Sequence, residues 1–115
     1  MTEDFDPVDV LELLEDEYAR EILVTASAEP MSARALSDAC DASLPTVYRR
    51  VEALEAADLL AVQTLPDEEG HHYKVYSTRV ERFAVEIADG SMDAELVLRE
   101  EHVADRFTRL YEGFR

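Results

Sequence analysis

The spacing of apolar residues changes near Asp58, and that change constrains the fold more than any other feature of this chain. Upstream, apolar positions recur at intervals of three and four, the repeat of an amphipathic helix. Downstream, "LLAVQTL" and "HYKVYST" alternate at intervals of two, the repeat of strands. Between these two runs lies "PDEEGH", in which Pro66, Asp67 and Gly70 are turn residues. Helices followed by a loose-tipped hairpin predict an α+β fold, mostly α, in which the hairpin must lie against helices.

The helices are bounded by capping signals. Asp6 is placed to cap a first helix with Pro7 at its first position, and Val10, Leu11 and Leu14 give it an apolar face. A second helix starts near Asp16. Tyr18, Ile22 and Ala26 follow one another at spacings of four, Leu23 widens the stripe, and Pro30 ends the run. Ser32 caps "ARALSDAC", with Ala35, Leu36 and Ala39 expected to face inward and Cys40 expected as a small buried hydrophobe. After the short polar turn "DAS", Ser43 caps a longer helix at about 44–57. Its Leu44, Val47, Val51 and Leu54 form one stripe. At 100° per residue Arg49 points away from that stripe, flanked by Pro45, Thr46 and Ala53, with Tyr48 and Arg50 on the shoulders.

Beyond residue 78 a helical reading of "VERFAVEIADGSMDAELVLR" would bury Gly90 inside a helix. Asp89-Gly90 is instead a two-residue hairpin signal. Folding there pairs Ile87 with Met92, Val85 with Ala94 and Phe83 with Leu96 on one face. Glu86, Asp93 and Glu95 fall on the other, so residues 79–99 are expected to form a second hairpin. Residues 101–115 are expected to end the chain as a helix, with Val103, Phe107, Leu110 and Phe114 on one stripe and Tyr111 beside it. No repeat or linker divides the chain, so 1–115 reads as a single domain.

Charge is the next constraint. The 115 residues hold 27 Asp and Glu against 11 Lys and Arg, a formal net charge of −16, and Lys74 is the single lysine. The acids are spread along every segment, which describes a whole solvated surface rather than an interaction tail. Such a surface suits very salty surroundings, where at about 1 M salt the screening length falls to roughly 3 Å. In this the chain resembles proteins of halophilic archaea. No run of about 18 apolar residues is present, so no membrane span is expected. "MTEDFDPVDV" lacks the apolar core of a secretory signal, so the expected address is the cytoplasm. One cysteine can neither close an intramolecular disulfide nor supply a thiolate metal site alone.

Helix, helix, short turn, helix, hairpin is the order of a winged helix-turn-helix. "SARALSDACDASLPTVYRRVEALEAADLL" resembles the helix-turn-helix core of ArsR-type transcriptional regulators, above all small halophilic archaeal ones. "LLEDEYAREIL" resembles their leading helix and "LAVQTLPDEEGHHYKVYST" their wing. The resemblance covers about residues 8–78. It implies a homodimeric regulator of double-stranded DNA without a cofactor. Two departures stand out: the paired cysteines of metal-sensing members are missing, and the wing tip "PDEEG" is acidic.

The residues expected at DNA follow from chemistry. The capped end at Ser43 presents N–H groups and a dipole that favour a phosphate. Thr46 suits a phosphate or a thymine methyl, and Arg49 a bidentate contact to guanine. Arg50, Tyr48 and Arg34 are better placed for phosphates. Pro45, beside Arg49, and Lys74, on the second wing strand, complete the set. Val103, Phe107, Leu110, Tyr111 and Phe114 are the expected dimer contacts. The competing reading is a protein-interaction module whose acidic surface does not bind DNA. An enzyme is not expected: no nucleophile is paired with a base, no phosphate loop is present, and adjacent His71 and His72 would point to opposite faces of a strand, so no metal site is expected.

Overall fold

A computed structural model describes residues 6–99. Four helices come first: α1 (Pro7–Leu14), α2 (Glu17–Ala28), α3 (Ala33–Cys40) and α4 (Leu44–Ala56). A two-residue strand β1 (Met31–Ser32) lies between α2 and α3, and β2 (Leu60–Pro66), β3 (His72–Thr78), β4 (Val80–Ala88) and β5 (Ser91–Leu98) follow α4. The fold is a mixed α+β winged helix-turn-helix with two antiparallel hairpins. The expected C-terminal helix, with Val103, Phe107, Leu110, Tyr111 and Phe114, lies outside the described residues.

Each helix begins where its capping residue demands. Asp6 accepts from the Val8 N–H at 3.1 Å, Asp16 from Ala19 at 2.8 Å, Ser32 from Ala35 at 3.1 Å and Ser43 from Thr46 at 3.3 Å. Each bond satisfies one of the N–H groups that a helix start leaves without a partner. Between α3 and α4 the chain reverses through Asp41, which adopts a left-handed conformation at φ 54°. The reversal is tied down by the Ala42 N–H donating to the Ser37 carbonyl at 3.1 Å and by the Ser37 hydroxyl donating back to the Ala42 carbonyl.

The core joins one face of every helix to the base of the first hairpin. Val10, Ile22, Leu36, Val47, Leu54, Leu59 and Leu60 are all fully or almost fully buried. Two helical stripes differ from expectation. In α2 the buried positions are Ala19, Ile22, Leu23 and Ala26, and Tyr18 is 37% exposed. The face is therefore set by the positions three, four and seven residues on from Ala19, and Tyr18 sits at its margin. In α3 the buried residues are Ala33, Leu36 and Cys40, while Ala39 faces solvent and Ala35 is half-buried. In so short a helix, small alanines define no stripe of their own.

Strand β1 was not expected. It pairs antiparallel with β3, Met31 opposite Tyr76 and Ser32 opposite Val75, so the wing sheet has the order β1-β3-β2. β3 is therefore central, and Val75, Tyr76, Ser77 and Thr78 are buried in succession. Consecutive burial means both faces are covered at that end of the strand. The Thr78 hydroxyl donates to the Leu23 carbonyl at 2.6 Å, linking the wing base to α2. The second hairpin has the expected register: Ile87 faces Met92, Val85 faces Ala94 and Phe83 faces Leu96. Its turn, Asp89 (φ 54°) and Gly90 (φ 79°), has both central residues left-handed, as a tight hairpin requires.

Candidate nucleic-acid interface

The outward surface of α4 is built by the burial of its opposite side. Val47, Val51 and Leu54 anchor the helix in the core. That leaves Pro45, Tyr48 and Arg49 exposed, with Tyr48 54% accessible. Three side chains form a short polar ladder along this surface. The Ser43 hydroxyl donates to Thr46 Oγ1 at 3.0 Å, and Arg49 Nη2 lies 3.5 Å from the same oxygen. Ser43 thereby touches both the backbone and the side chain of Thr46, and Arg49 is held only loosely at the end of the ladder.

Arg50 behaves differently from its neighbour. Its guanidinium donates to both carboxylate oxygens of Asp16, Nε to Oδ2 at 2.8 Å and Nη2 to Oδ1 at 3.0 Å. It also stands 5.8 Å over the Tyr18 ring. Asp16 is at the same time the cap of α2, so one carboxylate joins the start of α2 to the shoulder of α4. The hydrogen bond from Arg50 holds the Asp16 carboxyl below its ordinary pKa, against partial burial, which pulls the other way. The same contact raises the pKa of Arg50 further. Arg50, expected at a phosphate, forms a bidentate clamp between two helices, the geometry in which arginine and carboxylate fit best.

Arg34 and Lys74 converge with Tyr48 in a groove between the start of α3, the outward face of α4 and strand β3, whose floor includes Tyr76. His72 and Tyr73 complete its wall. Tyr76 is buried, and that burial, more than the nearby Glu55 and Tyr48, pushes its hydroxyl pKa up. Sequence reasoning placed Arg34, Tyr48 and Lys74 at DNA separately; the fold brings them together and adds His72 and Tyr73. The signal for Tyr73 was present in the strand alternation, but which face it occupied depended on where α3 packs.

Among the described residues, Arg50 pairs with Asp16, Arg79 with Asp58 at 3.3 Å and Arg82 with Glu95 at 3.7 Å. Arg20 donates to the Leu14 and Glu15 carbonyls at the end of α1. Arg34, Arg49 and Lys74 make no ion pair among the described residues; Arg34 and Lys74 line the α3–α4–β3 groove and Arg49 is exposed on α4. The wing tip carries no such cation. Asp67 organises it by accepting from the N–H groups of Glu69 (2.9 Å) and His71 (2.8 Å), with Glu68 and Glu69 exposed. His71 faces Asp67 and Glu69 at 3.7 and 3.9 Å. Cys40 is buried beside Thr25, and burial raises its thiol pKa. No cluster of three or more His, Cys, Asp or Glu side chains is assembled among the described residues, and none of the described helices is long and apolar enough to cross a membrane.

A buried core of helices, a capped and outward-facing α4 and a three-stranded wing sheet define a winged helix-turn-helix. A family model described as a helix-turn-helix domain matches residues 9–63, from α1 into β2. No curated protein matches the chain.

Proposed function

We propose that this chain is a sequence-specific double-stranded DNA-binding transcriptional regulator of the ArsR-like kind, acting as a homodimer through α4. The observation that carries this reading is the convergence of Arg34 and Lys74 with Tyr48 in a groove beside the outward face of α4, which also exposes Arg49. Arg49 reads a base edge, Ser43 and Thr46 hold phosphate or a thymine methyl, and Arg34, Tyr48 and Lys74 track the backbone beside Pro45. Arg50 contributes by holding α4 against α2.

The overall charge is compatible with DNA binding if the protein works in concentrated salt, the halophilic cytoplasm that its composition resembles. Long-range phosphate attraction is then screened, and contact-range hydrogen bonds supply the affinity. Two copies related by a two-fold axis would present two α4 helices to half-sites about one helical turn apart. The acidic wing tip favours a second reading, in which the same fold docks a basic protein partner and avoids DNA.

Duplex binding in molar KCl decides between them, with circular dichroism showing that each variant is folded. Arg49→Ala is expected to cost about 1–3 kcal/mol at the cognate site and to relax preference at one base position. Arg34→Ala and Lys74→Ala are expected to weaken cognate and scrambled duplexes alike. A folded Arg49→Ala chain that binds every duplex like wild type would transfer support to the protein-partner reading.

A further inference from the structure

The adjacent arginines of α4 are held in opposite ways. Arg49 is exposed, and its Nη2 lies 3.5 Å from Thr46 Oγ1, at the limit of a hydrogen bond. Arg50 is held from two sides. Its Nε and Nη2 donate to the two carboxylate oxygens of Asp16 at 2.8 and 3.0 Å, and its guanidinium carbon stands 5.8 Å from the centre of the Tyr18 ring. Asp16 is itself fixed, because its Oδ2 also accepts the Ala19 N–H at 2.8 Å as the cap of α2. The carboxylate thus has a set position, and the arginine is drawn to it.

Neither capping nor packing calls for this charge. Uncharged Ser32 and Ser43 cap α3 and α4 with the same bond to the third residue on. The pair lies at the surface, with 30% of the Arg50 side chain and 32% of the Asp16 side chain exposed. Ion pairs in such places add little stability. What the carboxylate does change is the availability of Arg50. Arg49 and Arg50 follow Thr46 by three and four residues, so both are its neighbours on the helix surface, with Cβ atoms about 5–6 Å away. A phosphate engaged at Thr46 would therefore be within reach of a free Arg50. The arginine fork fits a phosphate as it fits a carboxylate, and Asp16 already fills that fork with two oxygens. Phosphate contacts strengthen binding to every sequence alike, whereas selectivity depends on base edges. Withholding one phosphate contact leaves Arg49 untouched and lowers only the sequence-independent share of the affinity.

We propose that Asp16 is a positioning residue that sets selectivity: its carboxylate takes the place of a DNA phosphate, keeps Arg50 off the duplex and so limits sequence-independent binding by α4. This rests on the DNA-binding reading above and adds a residue of α2 that the reading does not otherwise use. Asp16 acts through Arg50 and makes no contact with DNA itself.

Fluorescence anisotropy of a labelled duplex of arbitrary sequence tests this in KCl from about 0.5 to 2 M, a range over which phosphate contacts are read from the salt dependence. The proteins are full-length wild type, Asp16→Asn, Arg50→Ala and the double variant, each shown to be folded by circular dichroism at every salt concentration. Asn keeps a capping oxygen without the charge. At the lowest salt Asp16→Asn is expected to bind roughly tenfold more tightly than wild type, the lower end for a hydrogen bond to a charged group. Its plot of log affinity against log salt should be steeper by about 0.9 for each Arg50 that gains a phosphate. Asp16→Ser, which caps as Ser32 and Ser43 do but is too short to hold Arg50, should reproduce both changes. Both should vanish in the double variant, which is expected to bind like Arg50→Ala. A gain that survives in the double variant comes from losing one negative charge and overturns the role of Arg50. Binding that Asp16→Asn fails to tighten, or that Arg50→Ala alone weakens, overturns the proposal and leaves the DNA-binding reading standing. Absence of binding by both wild type and Asp16→Asn removes the two together.

Discussion

The two hairpins have strands of similar length and lie in opposite surroundings. β2 and β3 have seven residues each, and β4 and β5 have nine and eight. The wing gains a third strand from β1 and buries Leu60, Val75, Tyr76, Ser77 and Thr78. No residue of β4 or β5 is fully buried. Their turns differ in the same sense. The wing closes through a five-residue loop, 67–71, held by Asp67, whereas the second hairpin closes through Asp89-Gly90 alone. A hairpin that is anchored by a core tolerates a loose tip, while one that projects depends on its turn for register.

The largest test of this difference is truncation of one apolar side chain in each hairpin. Leu60→Ala removes a side chain that is 2% exposed and is expected to cost about 2–5 kcal/mol. Ile87→Ala, in solution dilute enough for the chain to be monomeric, is expected to change folding by less than about 0.5 kcal/mol. Denaturant unfolding of both variants in molar KCl measures this. Equal losses would mean that the second hairpin is as deeply anchored as the wing.

Gly90→Ala sharpens the comparison with a smaller effect. At φ 79° a Cβ is strained even though no atom lies near it, so a loss of about 1 kcal/mol is expected, confined to β4–β5. Amide exchange would then quicken in residues 80–98 and stay unchanged in β2 and β3. A uniform change across both hairpins would show that they unfold as one unit.

The smallest effect belongs to the body that carries the wing. Asp16→Asn keeps a competent cap but removes the charge that Arg50 holds. The pair is about one-third exposed, so its worth is at most about 1 kcal/mol. The carboxyl pKa is lowered in the folded chain. The stabilisation is therefore present above the ordinary carboxylate range and is lost as pH falls through the lowered folded value. Melting curves of wild type and Asp16→Asn should stay separated near neutral pH and converge in acid. Curves that converge instead toward alkaline pH would contradict the assigned direction.

Local signals were sufficient for much of this architecture. Asp6, Asp16, Ser32 and Ser43 start the four helices because a short polar side chain can satisfy a free N–H only at a helix start. The register of β4 with β5 followed from Asp89-Gly90 and the alternation around it, both contained within about ten residues on either side. The stripe Leu44, Val47, Val51 and Leu54 set which surface of α4 turns outward, and so left Arg49 exposed. In these cases, the interaction that decides the outcome lies within one element or between neighbouring strands.

Tertiary structure decided what depends on distant partners. Asp16 and Arg50 are 34 residues apart, and nothing in "SLPTVYRR" distinguishes the arginine that meets a carboxylate from the one that does not. Tyr18 carries the right spacing for the core yet lies at its edge, because α2 turns its Ala19 side inward to meet the other helices. Strand β1 exists only because β3 passes beside Met31 and Ser32 to accept it. The groove of Arg34, Tyr48 and Lys74 likewise forms where three separate elements meet. Capping and periodicity are short-range properties written residue by residue; choosing a partner requires the whole chain to have closed around its core.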